Sequence, residues 1–276
     1  MNSLLKILLV IISVSVVSVA NASDQLLDSI RNVFASNTST IKYDMISVAA
    51  FGSNAYKGGA KQSQHTGYLL KDGDRELNIS EFRTNGKLYI TACVLHIDGF
   101  TYSFSTGFDQ PEKSVFDAER WTNLTSEAFK VADEENTVSM SIFKYHFLPL
   151  LPNENKIFLN EGEVMQNACT EYSTSGSQVI EGKNLQFIEY KTPAAYPIDM
   201  TTRYYFDNGQ LVKCVSITKK GEVPVSPEIQ AAYGGTLETR VGGYTIINIY
   251  EFTTDVDNTF LTLPKGIKIV KNPFKL

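Results

Sequence analysis

Hydrophobic positions change period along this chain, and the changes mark its elements. Leu26, Leu27, Ile30, Val33 and Phe34 recur at the spacing of a helix with one apolar stripe, and Ser23 or Asp24 is available as N-cap. Beyond Asn37 the period falls to two. Ile41, Tyr43 and Met45 alternate with Lys42 and Asp44, which predicts a strand to about Phe51, ended by a glycine-rich break over Gly52 to Gly59. From His65 to Ser105 the pattern predicts an antiparallel meander with turns at Asp72-Gly73, Asn85-Gly86 and Asp98-Gly99. An Asn or Asp before glycine suits these turns because both residue types tolerate the positive φ of tight hairpins. Phe100, Tyr102 and Phe104 alternate with Thr101, Ser103 and Ser105, the pattern of a strand with one wet face.

The segment from Gln110 to Pro152 is less regular. It holds the single tryptophan, Trp121, and a bulky apolar stretch from Val138 to Leu151 bracketed by Pro149 and Pro152, and is expected to form helices or a lid. Strand patterns resume over Val164 to Tyr172 and Leu185 to Lys191. Thr202 to Phe206 and Leu211 to Thr218 then flank an Asn208-Gly209 hairpin turn. Pro224 and Pro227 mark a loop or a short helix start, and a final strand is expected over Tyr244 to Phe252.

Parity adds a functional hint. Ile246 and Tyr250 point one way in that last strand while Ile247 and Ile249 point the other, and Leu88 to His96 is likewise apolar on both faces. Two arrangements bury a strand twice: a sheet covered by further layers on both sides, or a curved sheet with one face lining an apolar cavity for a lipid or acyl chain.

The N-terminus carries Lys6, an apolar run from Ile7 to Val19, and then Ala20-Asn21-Ala22. That order is the one of a cleavable signal peptide, and the run is shorter than the roughly 20 residues of a membrane-spanning helix. Residues 1–22 are therefore expected to be removed and 23–276 to form one exported domain, secreted or periplasmic; an uncleaved anchor is the alternative. Lipid anchoring needs a cysteine directly after the signal, whereas the first cysteine is Cys93.

Charge and chemistry then exclude several classes. The formal net charge is −5 with both signs interspersed, which argues against a nucleic-acid partner. Cys93, Cys169 and Cys214 are an odd set without C-x-x-C spacing, so a zinc or redox motif lacks support; one disulfide or small apolar core roles both stay open. Neither a nucleophile elbow, a zinc helix, a phosphate loop nor a dinucleotide glycine motif occurs. His65, His96 and His146 stand beside apolar segments, none at metal-ligand spacing from another, while Glu134-Glu135, Asp255 and Asp257 suit solvated turns. No catalytic activity, cofactor or metal is expected, and an exported hydrolase is only the third alternative. Asn37, Asn78 and Asn123 lie in glycosylation sequons.

The order of elements, with the stretches Val94-Leu95-His96-Ile97-Asp98-Gly99-Phe100, Tyr204-Tyr205-Phe206-Asp207-Asn208-Gly209 and Phe260-Leu261-Thr262-Leu263-Pro264-Lys265-Gly266, resembles the bacterial outer-membrane lipoprotein carriers, the LolA/LolB/LppX-like superfamily. The carriers' arginine-proline pair has no counterpart in Leu70-Lys71-Asp72-Gly73-Asp74-Arg75. The resemblance implies an α+β fold: a curved antiparallel sheet, an open half-barrel wrapped around the N-terminal helix and an apolar helical lid. It further implies an apolar concave surface for a lipid or an acylated protein, with Leu88, Ile90, Phe100, Tyr102, Ile246 and Tyr250 lining it and Ile142, Phe143 and Phe147 in the lid. For each of these residues an ordinary core position is the alternative. A structural or protein-interaction domain of the cell envelope is the alternative for the whole chain.

Overall fold

A computed structural model describes residues 24–49, 61–84, 87–107, 114–132, 147, 157–159, 163–165, 171–191, 200–235, 237 and 240–270. The signal segment, the glycine-rich break, the Asn85-Gly86 turn, His146, Ile142, Phe143 and Cys169 lie outside these residues.

The amphipathic N-terminal stripe forms helix α1 (24–35), which buries Leu26, Leu27, Ile30 and Val33. An antiparallel meander follows: β1 (Thr38–Ala49), β2 (Lys61–Asp72), β3 (Arg75–Thr84), β4 (Lys87–Ile97) and β5 (Phe100–Gly107). A short helix α2 (Ala118–Thr122) leads into β6 (Thr125–Ala132), and β7 (Ile157–Leu159) and β8 (Glu163–Met165) make a separate small pair. The second half is β9 (Glu171–Ile180), β10 (Lys183–Lys191), β11 (Met200–Asp207) and β12 (Gln210–Pro224), then α3 (Pro227–Ala232), β13 (Arg240–Thr253), a 3-10 turn (Asn258–Phe260) and β14 (Gly266–Val270).

Twelve of these strands form one open sheet in the order β14-β6-β5-β4-β3-β2-β1-β13-β12-β11-β10-β9. All neighbours are antiparallel except β14, which runs parallel to β6. The chain is thus two meanders joined at a seam, β1 against β13, where Met45 pairs with Ile247 and Ile46 with Ile246.

The two sheet faces bury different things. Ile41, Tyr43 and Met45 share one face with Ile247 and Ile249, and there they pack with α1 and with Tyr204, Phe206 and Cys214; this is the helix face. The opposite face carries two covers. Over β2 to β6, Trp121 and Val115 from the α2 segment and Phe260 and Leu261 from a C-terminal strap (256–263) enclose Leu70, Leu77, Cys93, Leu95 and Phe104. Over β10 to β13, α3 lays Ile229 and Ala232 on Tyr205, Val215 and Ile246. This is the strap face. Pro227 occupies the first turn of α3 and Ser226 caps it, with its Oγ accepting from the Ile229 N–H at 3.3 Å.

The turn chemistry is realised at two of the three expected pairs that are described, whereas at Asp72-Gly73 the turn falls one residue later, with Asp72 ending β2, Gly73 at φ 61° and Asp74 completing it. Asp98 and Gly99 have φ of 53° and 73°, and Asn208 and Gly209 have 49° and 80°. The irregular segment differs from the expectation of helices or a lid: of 114–132, only five residues are α-helical, and 125–132 is strand β6, closing the meander with Ala128 turned to the strap face. Of the stretch from Val138 to Leu151 only Phe147 is described, buried beneath α1 against Phe34 and Tyr204. Nor is β13 the last strand, since Gly266–Val270 adds β14 at the far edge. Strand β9 runs on to Ile180 and turns at Glu181-Gly182, with φ of 52° and 78°.

Candidate functional site

The register of the first meander aligns side chains into rows that cross the strands on the helix face. One row runs Met45, His65, Phe82, Ile90. The next runs Tyr43, Gly67, Ser80, Ala92, Ser105, and the third Ile41, Leu69, Asn78, Val94, Ser103, Phe129. A fourth, Lys71, Glu76, His96, Thr101, is polar. Large apolar side chains therefore stand under α1 at the seam, and the middle row shrinks to serine and alanine away from it.

That shrinkage makes a trough. Ser80, Ala92 and Ser105 are its floor, Phe82 and Ile90 stand along one side, and Val94 and Phe129 along the other. All of these residues except the exposed Ser105 are half-buried. Strand spacing of about 4.8 Å makes the floor about 10 Å long, and four residues along a strand separate its walls by about 13 Å. The ring of Tyr43 closes one end. It lies directly on Gly67, where a Cβ would fall 2.0 Å from the Tyr43 Cζ, so only glycine fits beneath that ring. Burial raises the Tyr43 hydroxyl's pKa, so the end wall is neutral.

His65 is part of the same wall, 3% exposed, with its ring centroid 5.8 Å from that of Tyr43 and 5.5 Å from that of Phe82. Burial pulls its pKa down from 6.5 to about 4, against a smaller upward pull from Asp44. The imidazole is neutral at pH 7. Because its folded value lies below its unfolded value, its contribution to stability is complete above pH 6.5 and is lost as pH falls from 6.5 to about 4. A shift of this size corresponds to about 3 kcal/mol across that window. Urea titrations of the wild type and of His65→Phe between pH 7 and 4 are expected to show a markedly flatter pH dependence for the variant. Parallel curves would mean that His65 does not titrate in this way.

Of the nine residues expected to line or cover a cavity, the seven that are described do not stand together. Ile90 stands in the trough wall. Phe147 is on the same face but in the core under α1. Phe100 and Tyr102 face the straps instead, Tyr102 buried in the core around Trp121 and Phe100 beneath the Lys130 ammonium at 3.5 Å. Ile246 is buried under α3, and Leu88 is buried opposite Arg83. Tyr250 lies at a bulge in β13, 67% exposed, where its hydroxyl donates to Asp44 Oδ2 at 2.7 Å. Ile142 and Phe143 lie outside the described residues. The trough residues Ser80, Ala92, Val94 and Phe129 were missed, although the small residues at one parity of β3, β4 and β5 were a readable signal.

Other candidate chemistry resolves into structure. Cys93 and Cys214 are both free and buried, in cores on opposite faces, which excludes a disulfide between them; burial pushes both thiol pKa values up. Asp257 accepts from the Thr259 N–H at 2.9 Å and caps the 3-10 turn. Arg75 donates to Asp72 and, at 2.8 Å, to Asn258 Oδ1, fastening the β2–β3 turn to the 3-10 turn of the strap. Glu81 is fully buried and accepts from the Val115 N–H at 2.8 Å, holding the α2 segment down. Among the described residues no cluster of His, Cys, Asp or Glu could hold a metal ion.

No family model matches the chain, and no curated protein matches it. Among solved structures it is similar to a LolA superfamily protein from Nitrosomonas europaea, at 7% identity over 87% of this chain and 96% of that one, with a TM-score of 0.27. It is also similar to an outer membrane lipoprotein-sorting protein domain from Vibrio parahaemolyticus, at 10% identity over 88% and 95%, with a TM-score of 0.23.

Proposed function

We propose that this chain is an exported, non-enzymatic binding protein that shelters a lipid or the acyl chain of an acylated protein, working in the periplasm or outside the cell. The observation that carries this reading is the trough on the helix face: a floor of serine and alanine between walls that are apolar except at Asn78 and Ser103, with no charged side chain in its three rows. Removing an acyl chain from water gains about 0.8 kcal/mol per buried methylene, so a groove of this kind binds without specific chemistry. Among the described residues no helix is long and apolar enough to cross a membrane.

Native mass spectrometry of the mature protein from its own source, with organic extraction of what accompanies it, tests the reading. A stoichiometric acyl-bearing ligand is expected. The variant Ala92→Trp fills the floor of the trough and is expected to lose lipid uptake at least tenfold while keeping its circular dichroism and its melting transition. Unchanged uptake in a folded Ala92→Trp would place the ligand elsewhere, and a ligand-free wild type that takes up no lipid would remove the reading.

A second reading, a protein-interaction domain, is favoured by β9. It forms an edge of the sheet, and its outer end, Ser173 to Ile180, has neither charge nor proline and exposes 65% of Val179. Such an edge is a template for strand addition.

A further inference from the structure

The two edges of the sheet are built differently. Strand β14 is five residues long and carries Lys268 at its centre, with Lys265 before it and Lys271 after it in sequence, a guard against pairing with another strand. Strand β9 is ten residues long and has no such guard. From Ser173 to Ile180 it holds neither charge nor proline, and its ladder with β10 is regular from Thr174 to Ile180, the irregularity at Glu189 and Tyr190 lying beyond. Thr174, Gly176, Ser177 and Val179 are all exposed.

The hairpin decides which backbone groups this edge offers. Ile180 and Lys183 flank the two-residue Glu181-Gly182 turn, so they exchange both their hydrogen bonds, and by alternation Gln178 and Gly176 do the same with Leu185 and Phe187. The N–H and C=O groups of Ser175, Ser177 and Val179 therefore point outward, where among the described residues no strand meets them. Nothing bulky stands in the middle of the edge: Ser175 and Ser177 are small, and at Gly176 the Phe187 ring takes the place of a side chain, 3.2 Å from where a Cβ would fall.

We infer that β9 pairs with β9 of a second copy of this chain, antiparallel about a twofold axis, joining the two twelve-stranded sheets into one. This rests on reading β9 as an interaction edge and goes beyond it by naming the occupant. What selects a second copy is the absence of charge. A twofold axis through the middle of the strand sets the stretch against itself, so a charge there would meet its like at close range. An unlike partner is chosen by complementary charges, and Ser173 to Ile180 offers it none. The lysines of β14 stop the association at two copies, because pairing at both edges would build an open polymer.

Sedimentation of the mature protein over a range of concentrations tests this. A discrete monomer–dimer equilibrium is expected. Ser177→Pro removes an outward N–H and no bond to β10, so it is expected to keep the wild-type circular dichroism and to weaken the dimer at least about tenfold, since the axis repeats each lost bond. Ser177→Lys, which brings like charges together across the axis, is expected to do the same, and Ser177→Ala, which leaves the backbone intact, to change nothing. A wild type that is monomeric at every concentration, species larger than the dimer, or a dimer untouched by both Ser177→Pro and Ser177→Lys would overturn the inference. Amide exchange separates that failure from failure of the edge reading. Fast exchange at Ser175, Ser177 and Val179 in the monomer would leave the edge open to a strand of another protein, whereas slow exchange there would mean that the chain covers its own edge and would remove the edge reading too.

Discussion

Replacing Trp121 by alanine is expected to lower the free energy of unfolding by about 3–5 kcal/mol, the range for deleting a fully buried large aromatic side chain. Trp121 has no exposed surface. Its ring stands 6.0 Å from Phe104 of β5 and 6.1 Å from Phe260 of the strap, and its indole N–H donates to the Thr262 carbonyl at 3.0 Å. Tyr68, Phe116 and Phe260 stack in sequence beside it, with centroid spacings of 4.1 and 4.2 Å. The substitution removes the link between the meander and the returning C-terminus and leaves a carbonyl unpaired. Because this is the only tryptophan, unfolding has to be followed by circular dichroism in urea. A loss below about 1 kcal/mol would mean that the strap is held by other contacts.

The variant Glu189→Ala is expected to cost a similar amount for a different reason. Glu189 is 3% exposed and accepts from Arg203 Nε at 2.6 Å. The guanidinium is packed between the rings of Phe187 and Tyr233, 4.5 and 4.2 Å from their centroids, and also donates to Gln178 Oε1 and the Ala232 carbonyl. Removing the carboxylate strands a mostly buried cation, which costs about 3–5 kcal/mol. Removing both charges strands no charge, although Gln178 Oε1 and the Ala232 carbonyl lose a donor. The double variant Glu189→Ala, Arg203→Met is therefore expected to recover much of the loss, and a double variant as unstable as the single one would show that packing around Arg203, not its charge, holds α3 on the sheet.

Local rules made much of this fold legible. The stripe from Leu26 to Phe34 could only be a helix, and the Asp98-Gly99 and Asn208-Gly209 pairs could only sit where φ is positive. The Glu181-Gly182 turn escaped because glutamate carries no turn preference, although its φ of 52° is the same conformation. Strand β6 escaped because the segment around it is irregular; α2 ends at its own C-cap, Asn123, just before it. The trough escaped for a deeper reason. Strands apolar on both sides, as in β4 and β13, identify no face, and which parity meets α1 is decided by pairing across about two hundred residues, such as Ser47 with Thr245, separated by 198 positions. The bulge at Tyr250 then shifts the register near the end of β13. Phe100 and Tyr102 drew attention by size, while the floor is marked by residues notable for their smallness.

The two meanders are clasped reciprocally, and this fixes the order in which the molecule can be completed. Helix α1 is the first described element of the chain, yet the side chains beneath it include Ile188, Tyr190, Tyr204, Phe206, Leu211 and Cys214 from the second half. The strap and β14 are the last, yet they are buried against the first half. A ribosome delivers the N-terminal half first, at roughly 5–20 residues per second. For much of that time α1 carries an apolar stripe whose main partners have not been made. Until Tyr204 to Cys214 have been made, that stripe has only Ile41, Tyr43, Met45 and Leu69 of its own half to pack on.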